Sequence, residues 1–336
     1  MILVPRHIML SVDAHVGTLL WDNLSLSNIR GVVKTKNGAA HMTNLSFSMG
    51  NAKAITTLAY KAWPHARKAR ANIFSRWERA DIVTLTSALH LDSLLPALKP
   101  MKGKLDCYFA AEVELDSSMA VVPATARAAI HLGGQKLTLM ENDDFRKIGK
   151  KLMFKNKDKN VIDTLSLNVL LDSGRVQVLP FVVNIDRYRL AVGGSQDLNM
   201  NMKYHISVLK SPLPFKAGVN IVGSPSNFDV DITTAKLKKQ VTAEKMAQND
   251  TASLMMRMAV LRDSYILSGQ PMPDFFKTMK GLEASPRFAV VVESDEATEE
   301  EIREAERARR AQSADVVPDS ASVSVPDSSA SKPFAQ

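Results

Sequence analysis

The chain has 336 residues, of which 45% are hydrophobic, and its formal net charge is +8. This length can bury the core of one large domain or two, and the sequence has no run of about 18 apolar residues, which excludes a transmembrane helix. Residues 293–336 carry a net charge of −6, so residues 1–292 carry +14, a basic body that favours anionic partners such as lipid headgroups or nucleic acid.

Short predicted strands fill the first 140 residues. The opening hexapeptide, residues 1–6, is too short and too soon interrupted by proline for a signal peptide. It is typical of a strand entered partway, so we expect the chain to be the C-terminal portion of a longer protein. Apolar alternation then predicts strands around 8–14, 24–31, 45–49 and 52–63, and Asn37-Gly38 predicts a hairpin turn.

A basic and aromatic segment follows at residues 64–79. Cations interleaved with rings are typical of proteins that bind single-stranded nucleic acid. The same residues suit a solvated strand at a sheet edge that cations protect from aggregation, and we favour this second interpretation. The side chains concerned are Arg67, Lys68, Arg70, Phe74, Arg76, Trp77 and Arg79.

Residues 104–115 show a clear two-residue period. Leu105, Phe109 and Val113 share one face with Cys107, while charged residues occupy the other face. Cys107 is the only cysteine of the chain, so it forms no internal disulfide, and we predict a buried structural thiol.

The first predicted helix spans about 143–153, where Asp143 and Asp144 lie at its positive end. Its last turn and exit are basic. The lysines suit a solvated face favoured by the helix dipole, or an electrostatic contact with anionic lipid headgroups. The headgroup candidates are Lys147, Lys150, Lys151, Lys155 and Lys157.

Residues 162–232 carry the strongest pattern of the sequence. Every second residue from Leu198 to Val208 is apolar, and Phe228, Val230 and Ile232 alternate with polar residues. Short turns separate these segments, which predicts an antiparallel meander because parallel strands need long crossovers. The sequence therefore predicts a mainly β protein: a long antiparallel meander that forms a curved sheet or groove with one apolar face, plus a few peripheral helices.

Beyond the sheet, residues 242–282 are methionine-rich and helical in period. Leu254, Met258, Leu261 and Tyr265 form the predicted buried stripe, and Asp274 is expected to begin a second, shorter helix. Residues 288–292 suggest a last strand, and 297–311 a highly charged helix. From residue 313 onward the composition is typical of disorder. We divide the chain into strand-rich repeats at 1–140, a β region at 141–240, a helical cap at 241–292, and a charged helix with its tail at 293–336.

The sequence contains no recognisable catalytic, metal-binding or cofactor-binding motif. It has no phosphate-binding glycine loop, no nucleophile elbow and no paired histidines or cysteines at metal-ligand spacing. His131 and His205 lie on the predicted polar faces of strands. We therefore predict no enzyme, no metal and no cofactor.

Residues 145–234 resemble the C-terminal region of the AsmA family. The resemblance is carried by the stretches KLMFKNKDK at 151–159, IDTLSL at 162–167, VQVLPF at 176–181, DRYRLAVGG at 186–194, DLNM at 197–200 and YHISVLKSPLPF at 204–215. Over residues 8–140 the similarity is limited to repeated short strands and the phrase LSLSNIRG at 24–31.

This resemblance implies a periplasmic envelope protein with a role in outer-membrane biogenesis, related to bridge-like lipid-transfer proteins. The family is anchored in the inner membrane by an N-terminal helix, which this sequence lacks. The implied partners are phospholipid acyl chains, with an anionic membrane surface and other envelope proteins as further candidates, and no nucleic acid. The candidate groove residues are Leu105, Phe109, Val113, Leu198, Met200, Met202, Tyr204, Ile206, Val208, Phe228, Val230 and Ile232.

An unbroken apolar sheet face must be covered by something, and the sequence leaves two alternatives open. In the first, acyl chains lie along a curved groove. In the second, the protein is a non-enzymatic structural or interaction domain, and the same face is a closed core. The alternating residues are the same in both cases, so the pattern does not separate them.

Overall fold

In the computed structural model the described residues are 1–21, 24–88, 95, 98–140, 159–185, 188–211 and 217–278. Strands make up 61% of them, and this part of the chain also contains three α-helices and a few short 3-10 helices. The predicted fold class is confirmed. The strands form one curved antiparallel sheet that does not close on itself.

The sheet has fourteen strands, and their order in space follows their order in the chain. The single exception is the two-residue β6, which pairs with β8 off the main path, so that β5 lies directly beside β7. The strands are β1 (Leu10–Trp21), β2 (Leu24–Lys36), β3 (Ala39–Met49), β4 (Ala52–Trp63), β5 (Lys68–Asp81), β6 (Met101–Lys102), β7 (Lys104–Leu115), β8 (Arg127–Met140), β9 (Lys159–Asp172), β10 (Arg175–Ile185), β11 (Tyr188–Asp197), β12 (Met202–Lys210), β13 (Gly218–Ser224) and β14 (Asn227–Thr233).

Tight turns of the expected chemistry produce this sequential order. Asn37 and Gly38 have φ values of 50° and 77°, the left-handed conformation that a two-residue turn between β2 and β3 requires. Ser173 and Gly174 repeat this geometry between β9 and β10, with φ values of 49° and 78°. Such turns reverse the chain within two residues, so β3 pairs with β2 and β10 pairs with β9.

One side of the sheet, which we call the apolar face, carries the large hydrophobic side chains. Residues paired directly across neighbouring strands point to the same side. The pairing register links Phe109 to Ile130 and, through the strands between them, to Tyr204 and Val230. The shared orientation predicted for β7, β12 and β14 is therefore confirmed.

The main core of the protein lies on this apolar face. Leu132, Leu165 and Val169 are almost completely buried in it. Ile82 and Leu85 of the first helix, α1 (Ile82–Ala88), pack into the same cluster. The carboxylate of Asp81 accepts hydrogen bonds from the first turn of α1, which explains why the helix begins directly after β5.

The opposite side, which we call the helix face, is covered in part by the long α2 (Ala243–Ser268). Thr242 caps its N-terminus by accepting a hydrogen bond from the Lys245 N–H, and Gly269 ends it with a φ of 62°. A third short helix, α3, spans Phe275–Thr278. The helices predicted within 243–282 are thus confirmed.

The buried side of α2 matches the predicted stripe only in part. Leu261 is buried, and Met258 and Tyr265 are half-buried, but Leu254 is exposed. The polar residues Ser253, Arg257, Ser264 and Ser268 are buried as well. The helix lies over alanines of the sheet, and small serines let the two backbones approach closely. The Ser264 and Ser268 hydroxyls donate to carbonyls of their own helix, so their burial leaves these polar groups satisfied.

Several predicted elements fall outside the described residues: the helix at 143–153, the strand at 288–292, the charged helix at 297–311 and the tail. The described residues belong to one compact unit, Met1–Val291. Among the described helices, none combines the length and the apolar character needed to cross a membrane.

Candidate functional site

The apolar face is the candidate site, and the structure places the predicted groove residues on it unevenly. Five of the twelve are buried: Leu105, Met202, Val208, Phe228 and Val230. Six are half-buried: Phe109, Val113, Met200, Tyr204, Ile206 and Ile232. Leu198 is 42% exposed.

The predicted strand from Leu198 to Val208 is wrong at its beginning, because β12 starts at Met202. The Asp197 carboxylate accepts hydrogen bonds from both the backbone and the side-chain nitrogen of Asn201, at 2.9 and 2.8 Å. These bonds close a turn in which Met200 has a φ of 64°. Leu198 and Met200 are therefore turn residues, although their apolar alternation continues into β12 from Met202 onward.

Those hydrogen bonds also define the electrostatics of the turn. They lower the pKa of the Asp197 carboxyl, with the Asn201 side-chain bond as the main cause. The charged carboxylate is the better acceptor, so the turn is held by the ionised form.

Half-buried residues of the apolar face form a contiguous strip across β10, β11 and β12. Phe181 pairs with Val192, and Val192 pairs with Ile206, while Tyr204 lies two residues before Ile206 on β12. We call Phe181, Val192, Tyr204 and Ile206 the open strip. All four pack against the buried core but keep part of their surface accessible.

Sequence reasoning selected two members of the open strip and missed the other two. Phe181, Val183 and Ile185 alternate, as do Leu190 and Val192. This alternation is visible in the sequence and places these residues on the apolar face. The bulge in β10 between Val178 and Phe181 interrupts the alternation. The position of the bulge follows from pairing with β11 rather than from the sequence of β10 alone.

One polar pair interrupts the open strip. The Tyr204 hydroxyl donates to Oε1 of Gln196 at 3.1 Å, and Gln196 is buried beside it. Burial raises the pKa of Tyr204 to about 12. The phenol therefore stays neutral, and its hydroxyl hydrogen is engaged by Gln196. The ring presents an apolar edge to whatever lies on the open strip.

A second polar cluster lies on the helix face of β12 and β13. His205 Nδ1 donates to Oδ1 of Asn220 at 2.7 Å, and Nε2 lies 2.9 Å from the Ser207 hydroxyl. Nε2 also accepts from the Lys236 N–H at 3.3 Å, which identifies the neutral tautomer with its proton on Nδ1. Ser207 in turn accepts from the Leu237 N–H at 2.9 Å.

This serine–histidine pair has the contact of a nucleophile with its base, but Ser207 is completely buried. Both groups are occupied by backbone N–H groups of the short 3-10 helix Lys236–Gln240. The arrangement fastens this segment to β12, and a substrate atom has no approach to the hydroxyl.

Polar contacts also seat α2 on the helix face. His131 Nδ1 donates to Oδ1 of Asn168 at 3.0 Å, and Nδ2 of Asn168 donates to Asp250 of α2 at 2.7 Å. The guanidinium groups of Arg257 and Arg76 lie 5.7 and 5.4 Å from the Tyr108 ring centroid. Arg257 belongs to α2, so its contact with Tyr108 helps to fix the position of the helix along the sheet, whereas Arg76 contacts the same ring from the neighbouring strand β5.

The predicted sequence features outside the apolar face have mixed outcomes. Cys107 is buried as predicted, and burial raises its pKa to about 12, so it stays a thiol. Among the described residues, no cluster of histidine, cysteine or acidic side chains has the geometry of a metal site. The five headgroup lysines between 147 and 157 lie outside the described residues.

The basic segment at 64–79 is not a sheet edge, so that prediction is wrong. It contributes β5, which lies between β4 and β7. Trp77 is buried on the apolar face and is unavailable for stacking. Arg70 pairs with Glu114 at 3.1 Å and Arg76 with Glu78 at 2.6 Å, so acidic neighbours offset this part of the positive charge.

We compared the chain with models of protein families, with curated proteins and with solved structures, and none of the three comparisons found a match. The AsmA resemblance of residues 145–234 therefore stays a prediction from the sequence. What the structure adds to it is an unclosed sheet with a continuous apolar face and a partly accessible strip.

Proposed function

We propose that this protein binds phospholipid acyl chains along the apolar face of its sheet. In this proposal it is a periplasmic envelope protein of the AsmA type, acting in outer-membrane biogenesis. The observation that carries the proposal is the combination of an apolar face that continues across the sheet with a sheet that remains unclosed. A curved, open sheet offers a path along which an acyl chain can lie without leaving apolar surroundings.

The open strip is the proposed contact with lipid. Phe181, Val192, Tyr204 and Ile206 offer accessible aromatic and aliphatic surface next to a packed core. Each 100 Å² of apolar surface that an acyl chain covers contributes about 2.5 kcal/mol. The nine residues of β12 extend about 30 Å at 3.3 Å per residue, which is comparable to the hydrocarbon thickness of a bilayer.

The periplasmic location and attachment to the inner membrane are parts of this proposal that rest on the family resemblance. So does the membrane-facing role of Lys147, Lys150, Lys151, Lys155 and Lys157. We also propose that the protein is not an enzyme. The support for this is that Ser207 and His205, which have the contact of a nucleophile with its base, are buried and fully engaged in other hydrogen bonds.

The decisive experiment is lipid mass spectrometry of the protein purified from cells, with Ile206→Glu as the test variant. A charge on the open strip should reduce co-purified phospholipid on the order of tenfold, because burying a carboxylate against acyl chains costs several kcal/mol. The thermal midpoint should fall only slightly, since water reaches Ile206 in the lipid-free protein. Val222→Glu is the control, because Val222 is an exposed aliphatic residue of β13 that pairs with Lys203 on the opposite side of the sheet from the open strip.

The expected pattern is bound lipid in the wild type and in Val222→Glu, and lipid loss in a folded Ile206→Glu. Wild-type protein that carries no lipid, together with an Ile206→Glu variant that fails to fold, would reject lipid binding. Leu132→Glu is the reference for loss of folding in the thermal melt, because Leu132 is completely buried and its substitution should unfold the protein.

A second candidate function is a structural or interaction domain whose apolar face is a closed core. The burial of Leu105, Met202, Val208, Phe228 and Val230 favours it. In that case the open strip is only the partly accessible border of the core. The same experiment separates the two functions, because a closed core predicts unfolding where a groove predicts lipid loss.

A further inference from the structure

The pairing between β9 and β10 is interrupted in the middle of the sheet. The two strands pair over four positions next to their turn and at one further position, Ile185 with Ile162. Between these points residues 163–168 of β9 and residues 179–184 of β10 form no β-pairs with each other, although all of them belong to the described part of the chain. We call this interruption the seam. By contrast, β9 pairs with β8 along nearly its whole length.

The local structure of both strands explains the seam. Pro180 has no backbone N–H group, so it cannot donate a hydrogen bond to a neighbouring strand. The bulge between Val178 and Phe181 inserts an extra residue into β10 and bends the strand. On β9, Ile162 and Leu165 are both buried in the main core although they are three residues apart, so the strand turns about its own axis between them. A regular ladder between β9 and β10 therefore cannot continue through this stretch.

The first half of α2 bridges the seam on the helix face. Asn249 Nδ2 donates to the carbonyl oxygen of Pro180 on β10 at 3.4 Å. The next residue, Asp250, accepts from Nδ2 of Asn168 on β9 at 2.7 Å. Met256, which follows on the same helix, belongs to one buried cluster with a leucine from each of the two strands. The helix thus contacts both strands where they have no β-pairing of their own.

The seam also lies beside the open strip. Phe181 belongs both to the unpaired stretch of β10 and to the open strip, whose other members lie on β11 and β12. Parts of a protein that are joined by few hydrogen bonds separate at lower cost than fully paired strands do. Because the seam divides β1–β9 from β10–β14, a rotation about it changes the distance between the open strip and the rest of the apolar core.

We propose that the seam is a hinge of the sheet and that α2 limits its opening. In the closed state, which is the state of this structure, Asn249 and Asp250 hold β10 and β9 together across the interruption. When these contacts break, β10–β14 rotate relative to β1–β9 and uncover apolar surface next to the open strip. The inference rests on the proposed lipid binding in one respect, namely that an acyl chain enters at the uncovered surface.

Distances between spin labels on the full chain test the hinge directly. Ile55→Cys on β4 and Val222→Cys on β13 place labels at exposed residues on opposite sides of the seam, and the native cysteine is buried. The test variant combines Asn249→Ala with Asp250→Ala, and neither residue is buried. Val222 lies three to four strand spacings of about 4.8 Å from the seam, so a rotation of about 15° moves its label by about 4 Å. We expect the distance distribution of the test variant to shift or broaden by this amount.

Three controls accompany the test variant. Gln248→Ala combined with Thr251→Ala changes exposed neighbours on α2 that make no hydrogen bond to a strand within the described residues, and it should leave the distance unchanged. Asp250→Asn alone keeps a side-chain oxygen that can accept the same hydrogen bond, and it should also leave the distance unchanged. Labels at Arg30→Cys and Val161→Cys both lie within β1–β9 and should respond to no variant. An unchanged distance in the test variant would overturn the hinge.

Hydrogen exchange tests the seam itself. In an antiparallel sheet the N–H groups of a strand point alternately toward its two neighbours. Every second amide of residues 163–168 should therefore exchange quickly, because it points toward the seam, while the others stay protected by β8. Residue-resolved NMR of the full chain measures this alternation. Uniform protection of residues 163–168 would mean that a complete ladder joins β9 and β10, and it would overturn the proposal.

The link to lipid binding is tested by uptake of pyrene-labelled phosphatidylcholine from phosphatidylcholine vesicles. The variant with Asn249→Ala and Asp250→Ala should take up the probe on the order of ten times faster than the wild type, because each hydrogen bond contributes a factor of about five to the closed state. A shifted label distance with an unchanged uptake rate would overturn the role of the hinge in lipid entry and leave lipid binding standing. If neither protein takes up the probe, the lipid-binding proposal fails, and the label distances alone decide on the hinge.

Discussion

On the apolar face large aliphatic and aromatic side chains meet across neighbouring strands, whereas on the helix face the strands present alanines and polar groups to α2. Ala59, Ala110 and Ala129 have no accessible surface on the helix face. The apolar face is stabilised by buried area, and the helix face by close approach and a few specific hydrogen bonds. The same strands therefore carry two kinds of stability, and they should respond differently to substitution.

The largest expected effect is on the apolar face. Leu132→Ala should lower the free energy of unfolding by about 2–5 kcal/mol, because it leaves a cavity among packed side chains. Leu132 is completely buried in the main core. Urea unfolding followed by circular dichroism measures the loss, and Val222→Ala, at an exposed position, is the control. A loss near that of the control would mean that the face is not a packed core.

The next effect belongs to the helix face and depends on pH. His41 is buried against Tyr265 of α2, with ring centroids 4.8 Å apart, and neither ring nitrogen has a hydrogen-bond partner among the described residues. Burial, with a smaller contribution from Lys34, lowers the pKa of His41 to about 4. The unfolded chain therefore takes up this proton at a higher pH than the folded protein does.

The sign follows from that difference. Stability is unaffected by His41 above pH 6.5 and falls as the pH drops from 6.5 to 4, by up to about 3 kcal/mol. His41→Leu should remove this part of the pH dependence, whereas His65→Leu, at an exposed histidine, should retain it. Urea midpoints measured from pH 7 to pH 4 for the three proteins test the prediction. Parallel curves for wild type and His41→Leu would contradict it.

A smaller effect is expected from overpacking the seat of α2. Ala129 lies beneath Met256, and Ala129→Leu should destabilise the protein by about 1–3 kcal/mol because the helix must move away. Its neighbour Ala128 is half-buried on the apolar face, so Ala128→Leu should cost less. Hydrogen exchange distinguishes the two, since only Ala129→Leu should speed the exchange of α2 amides. Equal effects of both variants would contradict the expected difference in packing between the apolar face and the helix face.

The smallest effect is expected from the polar link to α2. Asn168→Leu removes the hydrogen bonds to His131 and Asp250 and should cost about 1 kcal/mol, because both partners have access to water. A double-mutant cycle with Asp250→Ala isolates the contact between Asn168 and the helix. A coupling energy of zero would show that the link does not hold α2 in place.

Strand content and order were predictable from the sequence because they depend on local properties. Alternation assigns side chains to two faces, and turn residues such as Asn37 and Gly38 reverse the chain within two positions. The face shared by Phe109, Tyr204 and Val230 followed from the same logic. The error at Leu198 and Met200 was also local, since the Asp197 carboxylate competes for the backbone that a strand would use.

The sequence by itself therefore determined the mainly β class, the antiparallel order and the residues that share the apolar face. Only the tertiary structure decided which of these residues are covered, since burial depends on what lies opposite a residue. The buried side of α2 shows this most clearly. Its serines are buried and Leu254 is exposed because the alanines of β7 and β8 leave room for the helix to approach the sheet closely. Those alanines are more than a hundred residues away in the chain. In the same way, β5 is interior because of its neighbours in the sheet, which the composition of the strand does not reveal.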